Sequence, residues 1–503
     1  MNAIPIVRRR KWKLKPDPSR VICRPHIPYD DPLRIERIVK RALKLSDLEV
    51  NVLLAKIVLD YSDRHRDLQS ILDQHFARVE RYLPEHFLSQ GAGLSEKLRS
   101  LVGALFTMEY SVASAALFNP SIVLHPDQSG LGPNSIRFIM SLRAVGEGHI
   151  SSIVFSSGII GNTGTVLFDP ESDYINTPFL HMDASIDKHL FELKLAEMQS
   201  ANEITAYLLE RLPEQFSPNQ LFTQIDDLSR QTLFDEKHQS STTSSVLWLA
   251  NSNYELIFPQ GHPISERVIF PTTEDNSRGI EDARFVQFYE DNGDTMYYAT
   301  YTAYNGSRIL PQLIETHNFE HFKISTLNGN AVQNKGMALF PRKINGKYVM
   351  LSRQDGENNH IMYSDHLHFW QTSSVIQEPA EPWEFVQIGN CGSPLETSKG
   401  WLVLTHGVGP MREYNIGAIL LDSNDPGRII ARLRNPLLCP HEYEREGYVP
   451  NVVYSCGALI HNDDLIIPYA MSDISSGMAS VNVEELLACM EPLVNVENEG
   501  AIC

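Results

Sequence analysis

The sequence predicts a mainly β fold, a propeller with divergent blades, carrying an α-helical N-terminal extension and a helical insertion. Two observations carry that expectation. Short strand-like segments dominate the second half of the chain, near 246–250, 266–270, 285–289, 296–302, 337–340, 348–352, 401–405, 416–421, 452–460 and 465–469. They are separated by Gly, Asn, Asp or Pro turns and do not alternate with helices, which favours a propeller or sandwich over βα units. Helical periodicity is confined to two blocks, and no strict WD- or kelch-type repeat is visible.

Taken in order, residues 1–30 read as an extended arm punctuated by Pro5, Pro16, Pro18, Pro25 and Pro28. The arm holds the one strong basic run, Arg8-Arg9-Arg10-Lys11-Trp12-Lys13-Leu14-Lys15, best suited to an acidic face of a neighbouring subunit. Residues 31–117 read as a helical extension, with Ile35, Ile38, Val39, Ala42 and Leu43 on one face. Ser95 is a plausible N-cap for a further helix toward Tyr110. A propeller domain is expected over 118–480, interrupted by a helical insertion at about 186–236, with a C-terminal tail at 481–503.

Bulk properties exclude several classes. The 503 residues allow two or three domains, or one large all-β domain with extensions. The formal charge of −19 argues against nucleic acid, whose phosphates demand a basic footprint. The six cysteines are scattered, so neither a disulfide framework nor a zinc site is expected; reduced thiols and a cytoplasmic location are. The first residues carry charge without an apolar stretch behind them, unlike a signal peptide. The most apolar helical run, 101–117, is too short and polar to cross a membrane. His360, His366 and His368 lack regular spacing and a carboxylate pattern, so no metal is implied.

Chemistry concentrates in Arg278-Gly279-Ile280-Glu281-Asp282-Ala283-Arg284-Phe285 and the following Tyr301-Thr302-Ala303-Tyr304-Asn305-Gly306. Asp291-Asn292-Gly293-Asp294 between them suits a hairpin turn. Two carboxylates at a strand entrance, flanked by arginines and a Tyr/Thr ladder, suggest a sugar or anion site. Arg143 ends an earlier strand. Lys335 and Arg353 could converge on an anion, where arginine offers a two-pronged fork. His406 emerges from an apolar strand before a glycine turn, and Tyr469 and Asp473 end the last strong strand.

Gly279-Ile280-Glu281-Asp282-Ala283-Arg284, Tyr301-Thr302-Ala303-Tyr304-Asn305-Gly306, Gly400-Trp401 with His406-Gly407-Val408, and Pro468-Tyr469 with Asp473 occur in this order. Together they resemble glycoside hydrolase family 130, the mannoside phosphorylases and related mannosidases. The likeness spans roughly 118–473 and implies a five-bladed propeller with a central active site. The family's usual Glu-Asp-Pro-Arg is Glu-Asp-Ala-Arg here, so Ala283 lacks the stiffening ring. The resemblance makes Asp282 the catalytic acid, with Asn119, Arg143, Glu281, Arg284, Tyr301, Tyr304, Asn305, Tyr469 and Asp473 on the sugar. It makes Lys335, Arg353 and His406 phosphate ligands. Inverting phosphorolysis of β-mannosides, β-1,2 linkages among them, to α-mannose 1-phosphate is the implied reaction, a hexosyl transfer. Phosphate is then a co-substrate, and no cofactor is implied. An inverting β-mannosidase and a non-catalytic carbohydrate-binding propeller are the alternatives. Gln387 stands where many phosphorylases look to have a basic residue, and Glu357 and Glu396 are available as bases for hydrolysis. The helical extension makes a homo-oligomer the expected assembly.

Overall fold

The computed structural model describes residues 5–29, 31–83, 94–181, 185–231, 233–273, 276–304, 306 and 309–493. Contacts divide the chain into two compact units, one of residues 17–114 with 172–176 and one comprising the remainder.

The smaller unit contains helices Pro32–Ala42, Asp47–Tyr61, Leu68–Glu80 and Glu96–Leu105. Asp31, Ser46, Asp67 and Ser95 cap them by accepting backbone N–H bonds. Ile35, Val39, Phe76, Val79, Val102 and Phe106 form the core between them. The helical expectation fails beyond Leu105, where Thr107–Ala113 is a strand paired antiparallel with Asp17–Pro25. Tyr110 and Val112 are buried at period two, which satisfies a sheet and not a helix.

Strands dominate the larger unit and form five successive antiparallel meanders, the first two joined into one sheet by a parallel contact of Gly279 with Ser151. The first runs through Ala116–Leu124, Ile136–Val145, Ser151–Ile160 and Val166–Phe168. The second uses Gly279–Tyr289, Thr295–Tyr304, Ile309–Thr316 and His321–Thr326. The third is Lys335–Leu339, Tyr348–Arg353, Asn359–Ser364 and Ser373–Gln377. The fourth is Gln387–Asn390, Gly400–Val408, Tyr414–Leu421 and Ile429–Arg432. The fifth has Val453–Tyr454, Asp464–Met471 and Ser475–Asn482.

The fourth strand of that last sheet comes from the other end of the chain. Arg8–Leu14 pairs antiparallel with Ser475–Asn482. The basic run is therefore not a free arm. Arg9 Nε lies 3.3 Å from Glu444 Oε1, and Arg10 Nη2 donates to Ser480 Oγ at 2.9 Å. Trp12 stacks on Phe168 of the first meander, ring centroids 4.0 Å apart. One strand thus completes the last sheet and packs on the first. Of the basic residues that suggested a binding arm, Arg8, Lys11 and Lys13 stay exposed on this edge strand, while Arg9 and Arg10 bond to the protein.

The insertion is also longer than its sequence pattern suggested. Helices Lys188–Glu197, Glu203–Glu210, Pro218–Ser229 and Glu236–Asn251 bury Phe191, Leu195, Leu208, Leu221 and Leu249. The strand expected at 246–250 is the last turn of the fourth helix. Val246, Leu249 and Ala250 fall at i, i+3, i+4 and are all buried, a pattern too short to separate from a strand by sequence. At 266–270 a single turn precedes a two-residue strand, Val268–Ile269.

Trp12→Ala should lower the unfolding free energy of the large unit by about 1–2 kcal/mol, since it removes a half-buried stacked ring. Denaturant melts followed by far-UV circular dichroism measure this; an unchanged midpoint would show that the stacked ring contributes nothing to stability.

Candidate active site

The first strands of four meanders send residues to one place. Asn119, Asp282 with Arg284, Lys335 with Gly336, and Tyr454 line a single open cavity; Asn390 of the fourth meander stands behind it. Second strands add Arg143, Thr300, Thr302 and Arg353, and the loop segments after them add Arg412 and Asp473. The registers explain the convergence. Phe118 faces Arg143, Arg284 faces Thr300, and Lys335 faces Arg353 across their ladders.

Each of these three ladders is interrupted by a bulge, between Phe118 and Ser121, Glu281 and Arg284, and Lys335 and Ala338. A bulge re-aims the extra residue away from the sheet. Asn119 and Asp282 occupy the first two with φ of 49° and 54°. Asn and Asp are the non-glycine residues that tolerate this left-handed backbone best. In the third bulge Gly336 takes it, with φ 86°.

Asp282 sits in a dense polar cluster. Asn119 Nδ2 donates to Asp282 Oδ1 at 2.7 Å, and Arg143 Nη1 approaches the same oxygen at 3.4 Å. Arg143 Nη2 donates to Glu281 Oε1 at 2.8 Å, while Lys335 Nζ lies 3.6 Å from Glu281 Oε2. Burial by itself raises the Asp282 pKa, but Arg143, Lys335, the Asn119 hydrogen bond and Arg284 outweigh it and hold the carboxyl below its usual value. Asp473 behaves oppositely. Burial and the Asp282 charge push it up to about 6 against the pull of Arg143, Arg412 and Lys335. Asn119 lines the cavity, and its Oδ1 is buried without a hydrogen-bond partner.

A second cluster holds cations. Arg353 Nη1 donates to His406 Nε2 at 3.0 Å. The Gln387 amide, oriented to satisfy its neighbours, accepts from Arg353 Nη1 at 2.9 Å and from the Tyr414 hydroxyl at 3.2 Å. Arg353 Nε is buried without a partner, and no carboxylate lies within ion-pair distance of this guanidinium among the described residues. Arg412 likewise carries no carboxylate partner among the described residues. The cavity is lined by five cationic side chains, Arg143, Arg284, Lys335, Arg353 and Arg412, against the two carboxylates Asp282 and Asp473. In a chain of charge −19, that local surplus marks an anion site.

Several expected site residues lie elsewhere. His406 is 1% exposed and stays neutral, because burial and then Arg353 and Arg284 drive its pKa well down. It sits behind Arg353, with Nδ1 3.3 Å from the Asn390 carbonyl, and is not among the residues lining the cavity. Tyr301 borders the cavity, but its hydroxyl donates to Gln312 Oε1 at 2.5 Å within the hydrophobic core. Tyr469 is buried and bonds Glu444 at 2.7 Å. Tyr304 donates to the Gly306 carbonyl outside the cavity lining. Glu281 acts through its ion pairs with Arg143 and Lys335. Asn305 lies outside the described residues. Arg284 borders the cavity, yet its donors serve the protein: Asn390, through carbonyl and side-chain oxygens, and the Tyr454 hydroxyl at 2.6 Å. Glu396 is tied to Arg342 on the surface, and Glu357 is exposed, so neither proposed base reaches the cavity lining. Gln387, counted against phosphate because it stands where many phosphorylases look to have a basic residue, accepts from Arg353. Tyr414, Tyr454 and Arg412 were not anticipated. No cluster of His, Cys, Asp and Glu able to hold a metal occurs among the described residues, and none of their helices is long and apolar enough to cross a membrane.

A mainly β scaffold, one acid held by an asparagine and an arginine, and an adjoining surplus of cations define a pocket for a hydroxylated ligand beside an anion. Glycoside hydrolase family 130, described as beta-1,4-mannooligosaccharide phosphorylase, matches residues 238–492. A 1,2-beta-oligomannan phosphorylase of Thermoanaerobacter sp. (strain X514) is 34% identical over 229 residues, 44% of this chain and 75% of that one. A beta-1,2-mannobiose phosphorylase of Listeria innocua is 32% identical over 238 residues, 44% of this chain and 63% of its own length. A beta-1,4-mannooligosaccharide phosphorylase of Ruminococcus albus is 29% identical over 276 residues, 52% of this chain and 77% of that one. The solved Listeria innocua beta-1,2-mannobiose phosphorylase complex superposes with a TM-score of 0.44 at 22% identity, over 75% of this chain and 92% of the other. The chain belongs to glycoside hydrolase family 130.

Asp473→Asn should stabilise the protein at neutral pH. A carboxyl whose pKa is about 6 when folded and about 3.9 when unfolded stabilises the fold below pH ~4 and loses that contribution as pH rises through 6. The variant should gain up to about 2 kcal/mol at pH 7.5, and the gain should shrink as pH is lowered toward 5. Denaturant melts at the two pH values test this; a pH-independent effect would contradict it.

Proposed function

We propose that this protein is an inverting phosphorylase of β-mannosides, a hexosyl transferase in which inorganic phosphate cleaves manno-oligosaccharides to α-mannose 1-phosphate. The observation that carries the reading is the cation surplus beside Asp282: Arg353, held by His406 and Gln387, and Arg412 face the cavity with no carboxylate in ion-pair contact among the described residues. The five meanders read as blades of a propeller whose central cavity gathers one contribution from each. The relatives named above, of which the chain spans from 63% to 77%, support the same reaction class. Two of the three are named for β-1,2 linkages, which favours that linkage here. The unpaired state of the five described thiols supports a cytoplasmic setting.

In this reading Asp282 gives its proton, through a sugar hydroxyl, to the departing glycosidic oxygen. A phosphate oxygen attacks the anomeric carbon from the opposite face as that C–O bond breaks. Asn119 positions the acid and accepts from a sugar hydroxyl through Oδ1. Lys335, Arg353 and Arg412 place the phosphate and offset its charge. Phosphate is already a nucleophile, so no second carboxylate is needed to activate it.

One observation favours a second reading. Asp473, at about 6, is a carboxylate near the range of a general base for water, as an inverting β-mannosidase requires. Incubation with mannobioses of each linkage, with and without phosphate, separates the two. Mannose 1-phosphate formed only with phosphate is the expected result. Mannose released equally without phosphate would establish hydrolysis, and no turnover of any linkage would leave a binding module.

Two variants test the assignments. Asp282→Asn should lose at least about 10³-fold in kcat while still binding sugar; retained activity would remove Asp282 from its role. Arg353→Ala should raise KM for phosphate about 10²-fold with a much smaller effect on KM for the mannoside. Equal loss against both substrates would place Arg353 elsewhere in the reaction.

A further inference from the structure

Two aromatic rings stand free on the rim of the cavity. His149 and Tyr448 are exposed, Tyr448 by 62%, with ring centroids 5.6 Å apart and planes 33° from parallel. Among the described residues neither side chain makes a hydrogen bond or an ion pair. Their backbones, by contrast, are fixed. His149 sits in a turn over 146–150 that the chain repeats over 409–413. Gly148 and Met411 have φ of 66° and 59°, and His149 and Arg412 both have 58°. In each turn the first N–H donates to the last carbonyl, at 3.2 and 3.0 Å. Each joins the second and third strands of its meander. His149 therefore holds the place in the first meander that Arg412, which lines the cavity, holds in the fourth. Tyr448 precedes Val449, a lining residue whose N–H donates at 3.1 Å to the carbonyl of Ser472, the neighbour of Asp473. Gly447 packs so closely there that a Cβ on it would lie 2.3 Å from the same carbonyl oxygen. Arg445 Nη2, 3.7 Å from Glu413 Oε2, ties this loop to the turn that carries Arg412.

We propose that His149 and Tyr448 form a platform for a further sugar unit of the substrate, the third when the mannosyl to be cleaved is the first, and so set a preference for chains of three or more units. The inference rests on the reading of the protein as a mannoside phosphorylase. The distribution of charge gives the direction. Lys335 and Arg353 belong to the third meander, whereas Asn119 and Arg143 belong to the first and Asp473 to a turn of the fifth. In the proposed reaction phosphate takes the former side and the sugar the latter, so the rest of the chain leaves past the first and fifth meanders. His149 is on the first, and Tyr448 is in the loop leading into the fifth. A pyranose presents one face of C–H groups, whose slight positive charge suits the negative face of an aromatic ring. The unengaged tyrosine hydroxyl and imidazole nitrogens are hydrogen-bonding groups for its hydroxyls. Rings held on a fixed backbone lose little freedom when they bind.

Steady-state kinetics at saturating phosphate, with the di- and trisaccharide of the linkage that the wild type cleaves, test the proposal. The wild-type kcat/KM for the trisaccharide should exceed that for the disaccharide about tenfold. Tyr448→Ala should bring this ratio close to one, and His149→Ala should lower it in the same direction. Tyr448→Phe, which keeps the ring, should retain most of it. Tyr443→Ala alters an equally exposed tyrosine whose ring faces Lys13, and should leave the ratio as in the wild type. A variant that only destabilises the fold lowers both rates and not their ratio. A wild-type ratio near one, or a Tyr448→Ala variant with the wild-type ratio, would overturn the platform. A protein that turns over neither sugar would overturn the phosphorylase reading instead. Isothermal titration calorimetry with the same two sugars then decides the platform: equal affinity of wild type and Tyr448→Ala for the trisaccharide would overturn it as well.

Discussion

The buried guanidinium of Arg284 is the interaction on which the site depends. It is 4% exposed and belongs to the second meander. It donates to Asn390 in the fourth and to Tyr454 in the fifth. Asn390 in turn donates through Nδ2 to the Gly336 carbonyl of the third at 2.7 Å, and its own carbonyl faces His406. Asn119 of the first meander reaches Asp282, two residues from Arg284. Four meanders are thus tied through one cation, and the remaining one through its neighbour in sequence. A buried charge is tolerated only when its donors are matched, and here the matching partners lie on the strands that must be held together.

The same economy leaves the cavity electrically unfinished. Arg143 is balanced by Glu281 and Asp282, and Lys335 leans on Glu281. Arg353 and Arg412 form no ion pair with a carboxylate among the described residues, and the neutral His406 and Gln387 steer Arg353 without taking up its charge. In the proposed reaction a dianionic phosphate would complete this balance, and set against Lys335, which with Arg143 holds the Asp282 pKa down, it would weaken that pull.

Much of this was legible in the sequence, for a physical reason. Residues that need an unusual backbone or a matched charge are locally conspicuous. Glu281-Asp282-Ala283-Arg284 stood out by charge density at a strand entrance, and Lys335 and Arg353 by basicity at strand ends. What the sequence hid was direction. Along a strand one residue decides which face a side chain takes. Tyr301 and Tyr469 therefore carry the right chemistry but spend it inside the protein, on Gln312 and Glu444. His406 ends one layer behind the surface it was expected to line. Arg412 was hidden differently: it lies in a one-turn loop beginning at Pro410, where no periodicity signals an approach to the site. The N-terminal strand was hidden because its partner lies at the far end of the chain, beyond the reach of any local pattern.

Ala283 shows how the structure compensates for a departure from the family pattern. A proline after Asp282 would restrict the bulge from within. Here the restriction comes from outside. Ala283 is buried at 5% exposure, so the bulge cannot swing into solvent. On its downstream side, the Phe285 N–H donates to Ser121 Oγ at 3.0 Å, tying it to the first meander. Asn119 and Arg143 of the same meander hold the Asp282 carboxylate, and Arg284 is held by the fourth and fifth meanders. The bulge is fixed at every residue by a neighbouring strand. Its rigidity is therefore a property of the neighbouring meanders, and any change that loosens their packing reaches Asp282 through these contacts.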